Sequence, residues 1–182
     1  QGRGSVSNIA QISTTAAPAN QRVIFDEADT LGYSIPVTLV LSSQAPYRGT
    51  FHYDYPSVCS APATGCFENL RRQGLGEDLR AIDAQHLLES AYVEVAVASD
   101  APVSSFWTHI RLMFGDAQAN VIVYYDGFTH RADGSYRLYR VPLRAFTNFT
   151  PELLLDPLFE FGVGGRWGHN AHVRLDQIIV RW

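Results

Sequence analysis

The sequence predicts an all-β fold: an antiparallel β-sandwich of jelly-roll type with one or two short helices. Three observations carry this. Nine short runs rich in β-branched and aromatic residues recur from Arg22 to Trp182, and they alternate with a period of two, as half-buried strands do. Turn signals separate them, including Asp126-Gly127, Asp133-Gly134 and Gly164-Gly165. The last 45 or so residues, YRLYRVPLRAF, LFEFGVGG and HVRLDQIIVRW, read as consecutive closing strands. The final strand, near 171–181, is expected at the centre of a sheet, with Val173, Leu175 and Ile179 on its core face.

Taken in order, residues 1–21 form a small, polar leader whose only large apolar groups are Val6, Ile9 and Ile12. The sandwich domain spans 22–182. The leader either lies across its own domain or adds as a strand to a neighbouring copy. Strand runs follow at RVIFD, SIPVTLVLSS and YRGTFHYDY. The span from Pro56 to Ser90 breaks the pattern. It holds a cysteine loop and then NLRRQGLGEDLRAIDAQHLLES, which reads as a short helix or two with Leu79, Ile82 and Leu87 inward. Strands resume at AYVEVAVAS, FWTHIRLMF, NVIVYYDGF, SYRLYRVPL, LFEFGV and AHVRLDQIIVRW.

Composition narrows the function. With 182 residues, 46% of them hydrophobic, one core burying roughly two-thirds of the unfolded surface is the expectation. A net charge of −4 and no basic run argue against a nucleic-acid partner. All 14 basic residues are arginine, a bias that base composition explains without any demand for a guanidinium at each site. No apolar run reaches the length of about 18 residues that spans a bilayer. A start at Gln1 fits a processed terminus. Cys59 and Cys66 enclose the turn-prone SAPATG, and a local disulfide is favoured over a metal knuckle because no histidine stands in ligand spacing. Oxidised, the pair places the protein outside the cytosol, secreted or at the cell surface.

Alternation in FWTHIRLMF sets Phe106, Thr108, Ile110, Leu112 and Phe114 on one face and Trp107, His109, Arg111 and Met113 on the other. The first face is core. The second lines up an aromatic platform, an imidazole and a guanidinium, the groups that stack on and hydrogen-bond to a sugar ring. Tyr124 and Asp126, then Arg137 and Tyr139, extend that surface if their strands are neighbours; a solvated outer sheet face is the competing reading. The loop GGRWGHNAH sets Trp167 among glycines, suited to a glycan or a subunit contact. Nucleophile-elbow, zinc-protease, P-loop and dinucleotide motifs are absent from the sequence. Pairs such as Glu94 with Glu160 are the only hydrolytic option, so no enzyme is expected.

The segments VIFDEAD, DLRAIDAQHLL running into AYVEVAVAS, YRLYRVPLRAF and VRLDQIIV together resemble the jelly roll of carbohydrate-binding modules with a galactose-binding-like fold. The resemblance spans roughly Val23 to Val180. LGYSIP stands where that family has a tryptophan after its first acidic strand, and the cysteine loop between 56 and 75 is an insertion. The resemblance fits a non-catalytic extracellular module that binds a glycan, and the outward row supplies the candidate contacts Trp107, His109, Arg111, Tyr124 and Tyr139, with Trp167 from the loop. The resemblance also implies a structural calcium ion, Ca2+, held by Asp26, Glu27 and Asp176 with main-chain carbonyls completing the shell. The competing expectation is a structural subunit of a surface assembly or extracellular filament, joined by strand exchange through residues 1–21.

Overall fold

The structure is a computed structural model that describes residues 20–25, 40–42, 46–56, 66–100, 109–126, 133–167 and 172–182. Its strands, in chain order, are β1 (Gln21–Phe25), β2 (Val40–Ser42), β3 (His52–Pro56), β4 (Cys66–Asp78), β5 (Tyr92–Ser99), β6 (His109–Gly115), β7 (Asn120–Asp126), β8 (Arg137–Pro142), β9 (Pro157–Trp167) and β10 (His172–Arg181). One helical turn, α1 (Arg80–Ala84), and two short 3-10 turns, Leu143–Ala145 and Pro151–Leu155, complete the described elements. The strands form two antiparallel sheets. One runs β2-β3-β10-β5-β8 with β1 also on β10, and the other runs β4-β9-β6-β7. This is the β-sandwich that the alternating runs predict.

The inner faces meet in a single core. Val93, Val95, Val97, Val173 and Leu175 come from the first sheet, and Ile110, Leu112, Phe114, Phe161 and Val163 from the second. Each fully buried side chain of this size contributes roughly 1.5–3 kcal/mol. Leu79 and Ile82 are buried and Leu87 packs against the same cluster, as the sequence predicts.

Several expectations change. The stretch 66–78, read as loop and helix, is a strand of 13 residues paired with β9 along most of its length, and among the described residues only the five of α1 are α-helical. Its polar sequence has little intrinsic β preference, and pairing with β9 decides its state. Gly74 and Gly76, at φ +68° and +63°, sit where the β4 register shifts between Gln73 and Glu77. Gly164-Gly165 lies inside β9 and is not a turn. In β10, Val173 and Leu175 reach the core, but Ile178 and Val180 follow them in place of Ile179. A bulge between Asp176 and Ile179, with Gln177 at φ +48°, adds a residue and reverses the alternation beyond it. The bulge also divides the strand's partners: 172–175 pairs with β3, and 178–181 with β1. Gln21, placed in the leader by composition, opens β1, and the Trp182 N–H donates to the Asn20 carbonyl at 3.1 Å. The described end of the leader thus pairs within its own chain; Val6, Ile9 and Ile12 lie outside the described residues.

Candidate functional site

The hairpin of β6 and β7 organises the outward face of the four-stranded sheet. Its turn is closed by Asp116, whose Oδ1 accepts the N–H groups of Gln118 at 2.8 Å and Ala119 at 2.7 Å. Gly115 precedes it at φ +110°, where a Cβ would collide with the Ala119 carbonyl oxygen. This turn fixes the register that sets His109 opposite Asp126 and Arg111 opposite Tyr124. On the other side of β6, the same residues oppose Gly164 and Gly162 of β9, and Met113 opposes Glu160. Glu160 in turn faces Gln73 of β4. A continuous band, Gln73, Glu160, Arg111, Tyr124 and His109, therefore crosses the sheet on the side away from the core, with two glycines in its middle strand.

The band is not an open platform. Arg111 is 5% exposed and Glu160 is fully buried. Charges out of water must be paired, and the Arg111 guanidinium forms an ion pair with the Glu160 carboxylate. Gln73 Nε2 donates to Glu160 Oε2 at 3.3 Å. His109 and Tyr124 are half-buried and meet edge to face, with ring centroids 5.5 Å apart. Burial is the main cause that lowers the His109 pKa, the Arg111 charge adds to it, and Asp126 opposes it. The neutral imidazole is thus favoured, and its Nε2 has no hydrogen-bond partner among the described residues. A fixed guanidinium, an imidazole and a phenol ring stand in one row, with the guanidinium and the imidazole Nε2 buried and the His109 and Tyr124 rings half-exposed.

Of the sequence-predicted site residues, the structure brings together His109, Arg111 and Tyr124. Tyr139 does not join them. It lies on β8, in the opposite sheet from β7, packs against the core and opposes Val95. The condition that the two runs be neighbours is therefore not met. Trp167 is a strand residue and not a loop tip; it ends β9 opposite Cys66. Trp107 lies outside the described residues, as does Cys59. Sequence reasoning missed Gln73 and Glu160. Glu160 had a signal: it is the single acid in LFEFGV, in step with Gly162 and Gly164 and out of step with Phe161 and Val163. The carboxylates Glu94 and Glu160 stand on β5 and β9, in different sheets, and do not form a hydrolytic pair.

Of the residues in the calcium expectation, Asp176 lies among the described ones. Asp26 and Glu27 lie outside the described residues. Asp176 is fully buried, and its Oδ2 accepts the N–H groups of Tyr47 at 2.9 Å and Arg48 at 3.1 Å, while Oδ1 accepts that of Gln177 at 2.7 Å. Its lone pairs face hydrogens, where a cation needs bare oxygen. Asp176 is thus a main-chain anchor across the β10 bulge, and the rest of the calcium expectation falls on Asp26 and Glu27. Among the described residues no cluster of three or more His, Cys, Asp or Glu side chains is placed to hold a metal.

No known family model matches this chain, and no curated protein does. Solved structures do. A family 30 carbohydrate-binding module superposes with a TM-score of 0.61 at 14% identity, covering 90% of this chain and 88% of that one. The family 30 module of a cellulosomal cellulase of Clostridium thermocellum gives 0.60 at 14% identity over 88% and 96%. A family 11 module from Clostridium thermocellum, in complex with a β-1,3-1,4-mixed-linked tetrasaccharide, gives 0.55 at 10% identity over 91% and 97%. The chain has the β-sandwich fold that these carbohydrate-binding modules share. Among the described residues, no helix is long and apolar enough to cross a membrane.

Proposed function

We propose that this protein is a non-catalytic glycan-binding module acting outside the cytosol, and that it binds through the outward face of the β4-β9-β6-β7 sheet. The observation that carries this is the buried Arg111 and Glu160 ion pair. It fixes a polar row between Gln73 and Tyr124 on the side of the sheet away from the core. A buried pair is seldom a net gain in stability over apolar residues, so a preorganised binding surface is the better account of it. The fold agrees, since solved carbohydrate-binding modules share it. An extracellular location goes with a Cys59 to Cys66 disulfide, which a free-thiol assay under denaturing conditions would test.

Calorimetric titration with a β-1,3-1,4-linked tetrasaccharide and a glycan array tests the reading. Binding by stacking and a few hydrogen bonds corresponds to dissociation constants of roughly micromolar to millimolar. Tyr124→Ala and His109→Ala are expected to weaken it at least about tenfold, the loss of one good contact. Binding unchanged in both variants would remove this face from consideration.

A further inference from the structure

The six-stranded sheet carries a second constellation on its own outward face, away from the Arg111 row. Glu94 of β5 opposes Arg140 of β8 and Ile179 of β10, and it is 2% exposed. Three donors converge on its carboxylate: Arg140 Nε at 2.9 Å to Oε2, and Gln177 Nε2 at 2.6 Å and Arg181 Nε at 3.3 Å to Oε1. The bulge that puts Gln177 at φ +48° is what brings its amide to this carboxylate. Glu94 is therefore spent on holding two guanidiniums in place.

Of the two, Arg140 keeps an unused edge, while Arg181 also donates from a terminal nitrogen to the Gln21 side-chain oxygen. Arg140 engages Glu94 through Nε only, its side chain is 64% exposed, and its terminal nitrogens have no partner among the described residues. Arg48 is tied at its main chain by Asp176 Oδ2, which leaves its side chain at the rim. With Arg181, Tyr47, Tyr92 and Leu138 they line an open pocket of about 610 Å³. The Tyr47 ring is positioned by Tyr136, 5.7 Å away, which itself lies beneath Arg174 at 5.5 Å. Among the described residues, three guanidiniums and one carboxylate line the pocket. Asp176, close by, sits behind the Tyr47 and Arg48 amides. In a chain of net charge −4, this is a positive pocket with aromatic walls.

We propose that the pocket binds a sugar that carries a carboxylate, a hexuronate unit. Its carboxylate would lie on the free edges of Arg140 and Arg48, and its ring against Tyr47 or Tyr92. Guanidinium edges match a carboxylate in geometry as well as charge, and the phenol rings and pocket size suit a ring better than a bare anion. The inference rests on the glycan-binding reading for its ligand class, but not on the residues of the first face.

The test is titration of the intact protein with glucuronate, glucose and acetate, followed by NMR shifts of the arginine Nε and tyrosine ring signals. Glucuronate should bind at least about tenfold more tightly than glucose or acetate, the margin of one charge-assisted contact. Raised salt should weaken it. Arg140→Gln, an exposed change that leaves the core intact, and Tyr92→Ala should each lower the affinity, whereas Tyr124→Ala should not. Glucuronate binding that persists when the tetrasaccharide fails to bind supports the pocket and sinks only the first face. Glucuronate no tighter than glucose, acetate equal to glucuronate, or binding lost with Tyr124→Ala but kept with Arg140→Gln would each overturn the proposal.

Discussion

Both outward faces of this sandwich hold an arginine against a buried glutamate, yet the two pairs differ in how they meet water. On the four-stranded sheet, Arg111 and Glu160 are both buried, at 6% and 0% side-chain exposure. On the six-stranded sheet, Glu94 is buried but Arg140 is not. The first pair has exchanged hydration for each other and so depends on its partner. The second has one end in solvent, so screening and side-chain entropy leave little net stability in it, and the arginine stays available to a ligand. The same two residue types thus form a buried floor in one place and a solvent-facing edge in the other.

The largest expected effect breaks the first pair. Glu160→Ala leaves the Arg111 guanidinium buried without its anion and should cost about 3–5 kcal/mol in chemical denaturation. The joint replacement of Arg111 by Met and Glu160 by Leu should restore most of that stability, since apolar groups of similar volume do as well as a buried pair. Glycan binding should stay lost in the double variant. Recovery of binding together with stability would show that the pair is structural only. By contrast, Arg140→Gln leaves Gln177 and Arg181 on Glu94 and should lower the denaturation midpoint only slightly.

Next in size is the anchor beneath the second face. Asp176→Ala removes the acceptor of three main-chain N–H groups and should cost about 1–3 kcal/mol. It should also loosen the Tyr47 and Arg48 turn, and so weaken glucuronate binding. Adding a chelator to the wild-type protein should leave its melting temperature where it was. A fall on chelation, reversed by calcium, would mean that Asp176 works with Asp26 and Glu27 around a metal ion, because bound ligand raises stability by mass action.

The two faces were not equally legible in the sequence. Alternation in FWTHIRLMF identified the core side of β6 and its outward row, His109 and Arg111, because a strand buried on one face writes its period into the residue types. It could not show that Glu160 crosses to Arg111, since strand order is set by long-range pairing that local pattern does not encode. For the same reason, adjacency in sequence suggested that Tyr139 joins Tyr124, while the chain passes to the other sheet between them. β4 was missed because RRQGLGED carries neither alternation nor β-branched residues. The reversal at Ile179 was hidden because a bulge is a backbone event, and Gln177 is not a residue whose type announces a positive φ. The second face was the less legible throughout: its pocket depends on that bulge.

The smallest expected effect is a pH dependence confined to the first face. The His109 pKa is lowered below the ordinary 6.5, first by burial and then by Arg111. The folded protein therefore binds a proton less readily than the unfolded chain, and stability rises with pH wherever that difference operates. This contribution is fully present above 6.5 and is lost as pH falls through that value toward the lowered folded pKa. The exposed remainder of the ring is screened, so the change is modest. Denaturation midpoints measured from pH 7.5 to 5.5 should decline, and His109→Gln should flatten the part of the decline that belongs to this site. Protonation would also place a second cation beside Arg111, so affinity for a neutral glycan should fall over the same range. The opposite face should not follow it. Burial raises the Glu94 pKa, but contacts with Arg140, Arg181 and Gln177 outweigh this and hold it below 4.5. Its contribution is lost only at lower pH, so glucuronate binding should hold steady where tetrasaccharide binding declines. A parallel decline of both ligands would mean that the two faces do not titrate separately, and that the contrast between a buried pair and a half-exposed one does not govern how this protein binds.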